Sequence, residues 1–206
     1  MNKTLGKSCS PLEWEKEFIR ILTDMDSQKM DTTDLKMAKT IAKYQTAIAA
    51  GGFLGLRIKQ IRQLKWKDLL EAKDIITIES KTGENFQLSF SKQLRTIVET
   101  NYKMINPSSV DTLVLESPVK PGTALANRAF NDFFKKMLEY SKVKASNPSS
   151  DTLIKTFAYK LFRNKGGDIK ALIFVSNLLK HGSLEYTRKW LGIPKVDSNT
   201  LVLNID

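Results

Sequence analysis

Cysteine is almost missing: Cys9 is the only one in 206 residues. That excludes an intramolecular disulfide framework and a thiolate cluster for zinc, and it fits a reducing compartment. Long apolar runs are missing too. The least polar stretch, residues 47–56, is far too short to span a bilayer, and residues 1–10 contain no apolar signal-peptide core. The expectation is a cytoplasmic protein with no membrane partner, no metal and no cofactor. There is no internal repeat and no low-complexity tract.

Positive charge is abundant. Lys and Arg number 33 against 22 acidic residues, a net charge of +11. The basic residues recur along the whole chain, a distribution that suits a polyanionic partner and a merely soluble basic surface about equally, so charge alone leaves both open.

Apolar periodicity predicts a mainly helical chain. Trp14, Phe18, Ile21 and Leu22 share one face of a first helix expected to end near Asp26. Asp31-Thr32-Thr33-Asp34 caps a second helix, carrying Met37, Ile41, Tyr44 and Ile48, which Gly51-Gly52 is expected to break. A third helix opens near Arg57, with Ile58, Ile61 and Leu64 toward the core and Arg62, Lys65 and Lys67 outward. Ile75-Ile76-Thr77-Ile78 and Phe86-Gln87-Leu88-Ser89-Phe90 read as a hairpin with Lys81 near its turn, and Thr112-Leu113-Val114-Leu115 as a third strand. Helices follow over residues 92–104, through Phe130, Phe134 and Leu138, from a cap at Pro148-Ser149-Ser150-Asp151 to Gly166-Gly167, over residues 168–179, and over residues 183–191. The predicted fold is mainly α with a small three-stranded antiparallel sheet. The predicted parts are an N-terminal leader and helix (1–36), a main domain (37–193) and a tail (194–206) whose Leu201-Val202-Leu203 suits edge pairing with a neighbour.

Three ordered segments carry a resemblance. Gly55-Leu56-Arg57-Ile58-Lys59-Gln60-Ile61-Arg62-Gln63-Leu64-Lys65-Trp66-Lys67-Asp68 is the first, and the Lys81-Thr82-Gly83 turn the second. The third joins Thr152-Leu153-Ile154-Lys155-Thr156-Phe157-Ala158-Tyr159 to residues 178–193, with His181-Gly182-Ser183, Thr187 and Trp190-Leu191-Gly192-Ile193. Together, over residues 37–193, they resemble the catalytic domain of the tyrosine recombinases, the phage integrase family. The resemblance implies DNA as partner and matches Arg57 to the family's first catalytic arginine. It matches Lys81 to the lysine that protonates the leaving hydroxyl, and His181 to the signature histidine.

The same resemblance marks departures. The family attacks a DNA phosphate with a tyrosine while two arginines hold the phosphorane. The second arginine position is Ile154, which has no donor and no charge; by comparison with other preorganised donors, its loss costs about 100- to 1000-fold in rate. The nucleophile position, nine residues after His181, is Trp190, and an indole forms no phosphodiester link. A second-box basic position is Asp151, whose charge repels phosphate. Tyr186 lies one turn before Trp190, about 6 Å along the helix, and a misplacement of about 1 Å already costs about a hundredfold.

The favoured expectation is therefore a DNA-binding protein without cleavage activity, acting as accessory factor or transcriptional regulator of a phage or mobile element. One alternative is a slow recombinase using Tyr186. Another is an interaction module that pairs with an active recombinase, or with a second copy, through its tail. Candidate phosphate contacts are Arg57, Lys59, Arg62, Lys65, Lys67, Lys81, Lys155, Lys160, His181 and Lys189. Each has a bland counterpart: Arg57 pairing with Asp68 or Asp74, Lys81 protecting a sheet edge, His181 capping a helix, Trp190 filling a core, the lysines solvated. Only 56 residues precede Arg57, where family members usually carry a separate DNA-gripping domain, so weak monomeric binding improved by self-association is expected.

Overall fold

A computed structural model of the chain describes residues 8–73, 75–79 and 85–194. The Lys81 turn and the tail segment 195–206, with Leu201-Val202-Leu203, lie outside the described residues.

The helical bundle is built around α2 (Leu35–Leu54). The Asp34 carboxylate caps it, accepting from the Lys36 and Met37 amides, and Gly55 ends it in the left-handed region at φ 66°. Ala42, Ala47, Ile48, Ala49, Ala50, Gly51 and Gly52 are all buried, as a helix enclosed on every side requires. A π-helical turn (Trp14–Ile19) leads into α1 (Arg20–Asp31), which packs on α2. The first helix therefore runs past Asp26, because Met25 and Lys29 are also buried.

Gly51-Gly52 does not break α2. The pair is kept small by its neighbours: a Cβ at Gly52 would stand 2.1 Å from Phe18 Cζ, and one at Gly51 2.7 Å from Leu153 Cδ1. The actual stop is Gly55, where a positive φ suits glycine.

Short helices α3 (Ile58–Gln63) and α4 (Trp66–Leu70) follow, then strands β1 (Ile75–Glu79) and β2 (Asn85–Ser89), which pair antiparallel with Ile75 opposite Ser89. The predicted three-stranded sheet is not formed. The segment around Thr112 makes only isolated bridges, Lys65 with Leu113 and Glu116 with Ala124. The first bridge is made by two hydrogen bonds to the α3–α4 link, Trp66 N–H donating to the Thr112 carbonyl at 3.1 Å and Val114 N–H to the Leu64 carbonyl at 2.9 Å. The β-prone residues Val114 and Leu115 are instead buried in the helical core.

Helices α5 (Lys92–Ile105), α6 (Asn127–Tyr140), α7 (Ser150–Asn164), α8 (Ile169–Leu179) and α9 (Leu184–Leu191) complete the described chain. Ser149, Asp168 and Ser183 cap the last three through side-chain acceptors. Helix α7 divides the interior. Leu153 belongs to the larger core formed with α1, α2, α5 and α6, whereas its neighbour Ile154 belongs to a second cluster with Ala158, Phe162, Leu172, Val175 and Leu191. In the larger core the Lys29 ammonium is buried and donates to Asp26 Oδ1 at 2.7 Å, Gln45 Oε1 at 2.9 Å and Asn101 Oδ1 at 2.6 Å. All three of its protons are satisfied, as a buried ammonium requires.

Candidate functional site

The entry to α3, the middle of α7 and the α8–α9 junction bring Arg57, Lys155, His181 and Trp190 into one region. Arg57 precedes α3, and its backbone N–H is held by Gln60 Oε1 at 2.9 Å. Asp68 is not its partner, since that carboxylate accepts from the Lys65 amide at 2.8 Å. Among the described residues no ion pair engages Arg57.

His181 follows Lys180, which ends α8 in the left-handed region at φ 54°. Its Nδ1 lies 3.0 Å from Thr187 Oγ1. The Thr187 hydroxyl is fully buried and also meets Ser176 Oγ at 2.9 Å and the Ser183 carbonyl at 3.1 Å. When the single hydroxyl proton goes to either of those oxygens, Nδ1 donates to Thr187 and Nε2 keeps a free lone pair. Burial lowers the His181 pKa below its ordinary value, and the positive charges of Arg57 and Lys155 lower it further, so the ring is neutral at pH 7.

Trp190, which the resemblance matches to the nucleophile position, lies close to both His181 and Lys155. Its ring centroid lies 5.0 Å from that of His181 at an interplanar angle of 75°, and the Lys155 ammonium sits 4.9 Å from the indole centroid. On its other side the indole packs against the second hydrophobic cluster. Tyr186 makes a separate edge contact with His181 at 4.8 Å and 89°, and it is 43% exposed.

Ile154 is 3% exposed and points into that second cluster. Asp151 is exposed in the first turn of α7, where a carboxylate is favoured by the helix dipole. Lys155 is 2% exposed, and burial depresses its pKa against the opposing pull of Cys9 and Asp151. Its Nζ donates to Ser8 Oγ and to the Cys9 carbonyl, the latter at 2.7 Å. Nothing in the sequence pointed to Ser8 and Cys9 as partners. Thr187 was present in the third segment as a motif residue, without a role.

The other basic candidates divide. Lys59 is exposed on α3, and Lys189 is exposed but 3.4 Å from Glu185 Oε1. Arg62 Nε donates to the Leu125 carbonyl at 2.6 Å, tying α3 to the approach to α6. Lys65 and Lys67 share Asp111 at 3.7 Å and 2.6 Å; the Asp111 hydrogen bond raises the Lys67 pKa. Lys160 is not part of this group, because its ammonium lies 3.4 Å from the Trp14 ring centroid and burial lowers its pKa. The described residues hold no cluster of metal-ligating side chains and no helix long and apolar enough to cross a membrane.

The model of the phage integrase family matches residues 15–192. Among solved structures, the fold is similar to XerH site-specific recombinase bound to a palindromic difH substrate, with a TM-score of 0.66 and 20% identity over 97% of this chain and 52% of that one. It is similar to XerA recombinase at TM-score 0.61 and 16% identity, over 92% of this chain and 60% of that one. It also resembles the Tn1549 transposon integrase in complex with transposon right end DNA, at TM-score 0.60 and 14% identity over 96% and 64%. The chain thus spans about half the length of the first of these structures. A search of curated protein sequences found no match.

Proposed function

Because the chain belongs to the phage integrase family, we propose that it binds double-stranded DNA through a phosphate site made of Arg57, His181 and Lys155, and that it does so without cutting the strand. In this reading it is an accessory factor or transcriptional regulator of a phage or other mobile element. Lys59 and Lys189 add exposed charge at its margin, and Lys81 adds a further cation. Residues 37–193 form the DNA-binding domain.

The observation that carries the reading is the indole of Trp190, set between His181 and Lys155 at the nucleophile's place. Indole carbon and nitrogen offer no oxygen to form a phosphodiester bond, and neutral His181 beside it retains a lone pair and no charge of its own. With Ile154 turned into the core, only one arginine faces a bound phosphate, which suffices for contact and falls short of stabilising a phosphorane. Binding is tested by gel shift over a salt series. A steep fall in affinity with salt is expected, as counterion release requires, and salt-independent binding or none at low salt defeats the reading.

One observation favours a second reading. Tyr186 is exposed and touches the His181 ring, so residual strand cleavage through its phenol oxygen is the alternative. A suicide substrate separates the two: a covalent adduct that disappears in Tyr186→Phe selects the recombinase, and no adduct selects the binding protein.

A further inference from the structure

The Lys155 cation is held away from solvent by the chain's own N-terminal segment. Residues 8–13 pass α7 without regular secondary structure, and oxygens of Ser8 and Cys9 accept two of the three ammonium protons. The inner end of this segment is anchored. Leu12 is 2% exposed, and its N–H donates to Thr156 Oγ1 at 2.9 Å. The outer end is held more lightly. Ser10 and Ser146 exchange two hydrogen bonds, at 3.1 Å through the Ser10 amide and 3.0 Å through the Ser10 hydroxyl. A cavity of about 600 Å³, lined in part by Cys9, Tyr159 and Trp190, leaves this end without packing on one side.

The acceptors on Lys155 are neutral oxygens, one hydroxyl and one carbonyl. A phosphodiester offers the same acceptor chemistry with a full negative charge, so it adds a charge–charge attraction to hydrogen bonds whose donor is already ionised. Lys155 lies within electrostatic reach of His181, as Arg57 does, so an anion there meets two cations at once. We infer that residues 8–10 are an autoinhibitory strap over Lys155, which a DNA phosphate displaces. Leu12 remains seated while the outer residues swing away.

The strap lowers the apparent affinity for DNA by the fraction of molecules in which Lys155 is covered. It rests on the DNA-binding reading above, and the two fail in different ways. Cys9 is the only thiol, so its alkylation by N-ethylmaleimide reports the strap in the full chain. Saturating duplex is expected to speed alkylation about fivefold, as the covered state is depleted. The variant S8A/S10A, which loses one acceptor on Lys155 and one hydroxyl contact to Ser146, is expected to alkylate faster without DNA. It should also bind duplex about three- to tenfold more tightly.

A duplex that is bound while Cys9 alkylation stays constant or slows overturns the strap, as does S8A/S10A binding no tighter than the parent. If the parent chain binds no duplex, the DNA-binding reading fails instead. The strap is then judged by S8A/S10A alone, and alkylation at the parental rate overturns it.

Discussion

The imidazole of His181 and the indole of Trp190 meet edge to face, their centroids 5.0 Å apart. A tyrosine at position 190 would place its oxygen in a region that already has a neutral histidine and one arginine but lacks the second guanidinium. Trp190→Tyr is therefore expected to restore no strand cleavage, read as the absence of a covalent adduct on a suicide substrate. Adduct formation by the single variant would show that Ile154 is no obstacle.

Ile154→Arg is the complementary change, and the expected cost is in stability. The isoleucine is 3% exposed among Ala158, Phe162, Leu172, Val175 and Leu191, so a guanidinium there is buried with no acid opposite. An unpaired buried charge costs about 3–5 kcal/mol. Urea denaturation should show a midpoint well below that of the parent chain, and an unchanged midpoint would mean that the arginine turns out of the core toward Arg57.

The helical framework was legible because its determinants are local. Asp34, Ser149, Asp168 and Ser183 accept hydrogen bonds from amides two or three residues ahead, and that relation is written in short-range sequence. Gly51-Gly52 misled because its purpose is non-local: glycine is required there by Phe18 and Leu153, not by the backbone. The Thr112 segment misled for a similar reason, its β-prone side chains being claimed by the core. At the site, the motif named Arg57, His181 and Trp190, which the structure brings into one region. The seat of Lys160 on Trp14 and the seat of Ser8 on Lys155 depend on long-range packing that leaves no periodic trace.

Gly52→Ala tests that non-local requirement. The added methyl would begin 2.1 Å from Phe18 Cζ, and the ring is held by Trp14 and Phe53 at centroid distances of 4.8 Å and 5.8 Å. Overpacking of this kind costs about 1–3 kcal/mol, which outweighs the helix-propensity gain of about 1 kcal/mol from glycine to alanine. Thermal unfolding should show a lowered midpoint; a raised one would place Phe18 elsewhere.

Arg57 and Lys160 make a matched pair of basic residues with opposite expected behaviour. Arg57→Ala should weaken duplex binding for all sequences alike and reduce the salt slope by about one unit, the signature of one lost phosphate contact. Lys160→Ala should leave the slope unchanged and lower stability, because its ammonium is committed to the Trp14 ring. The same slope change in both variants would argue for diffuse charge in place of a localised site.

The pH dependence of binding follows from His181. Burial and the charges of Arg57 and Lys155 hold its pKa below the ordinary 6.5 in the free protein. Unfolding exposes the ring and restores that value, so the folded chain binds fewer protons; the stability associated with the neutral ring is complete above about pH 6.5 and declines below it. A bound phosphate reverses the balance, because its negative charge favours the imidazolium and raises the pKa. The complex then takes up a proton on forming, and DNA affinity should rise as the pH falls from 8 toward 6, provided the fold is intact by circular dichroism. His181→Gln keeps hydrogen-bonding capacity and cannot titrate, so its affinity should stay flat over the same range. An identical rise in the parent and in His181→Gln would remove His181 from the phosphate site.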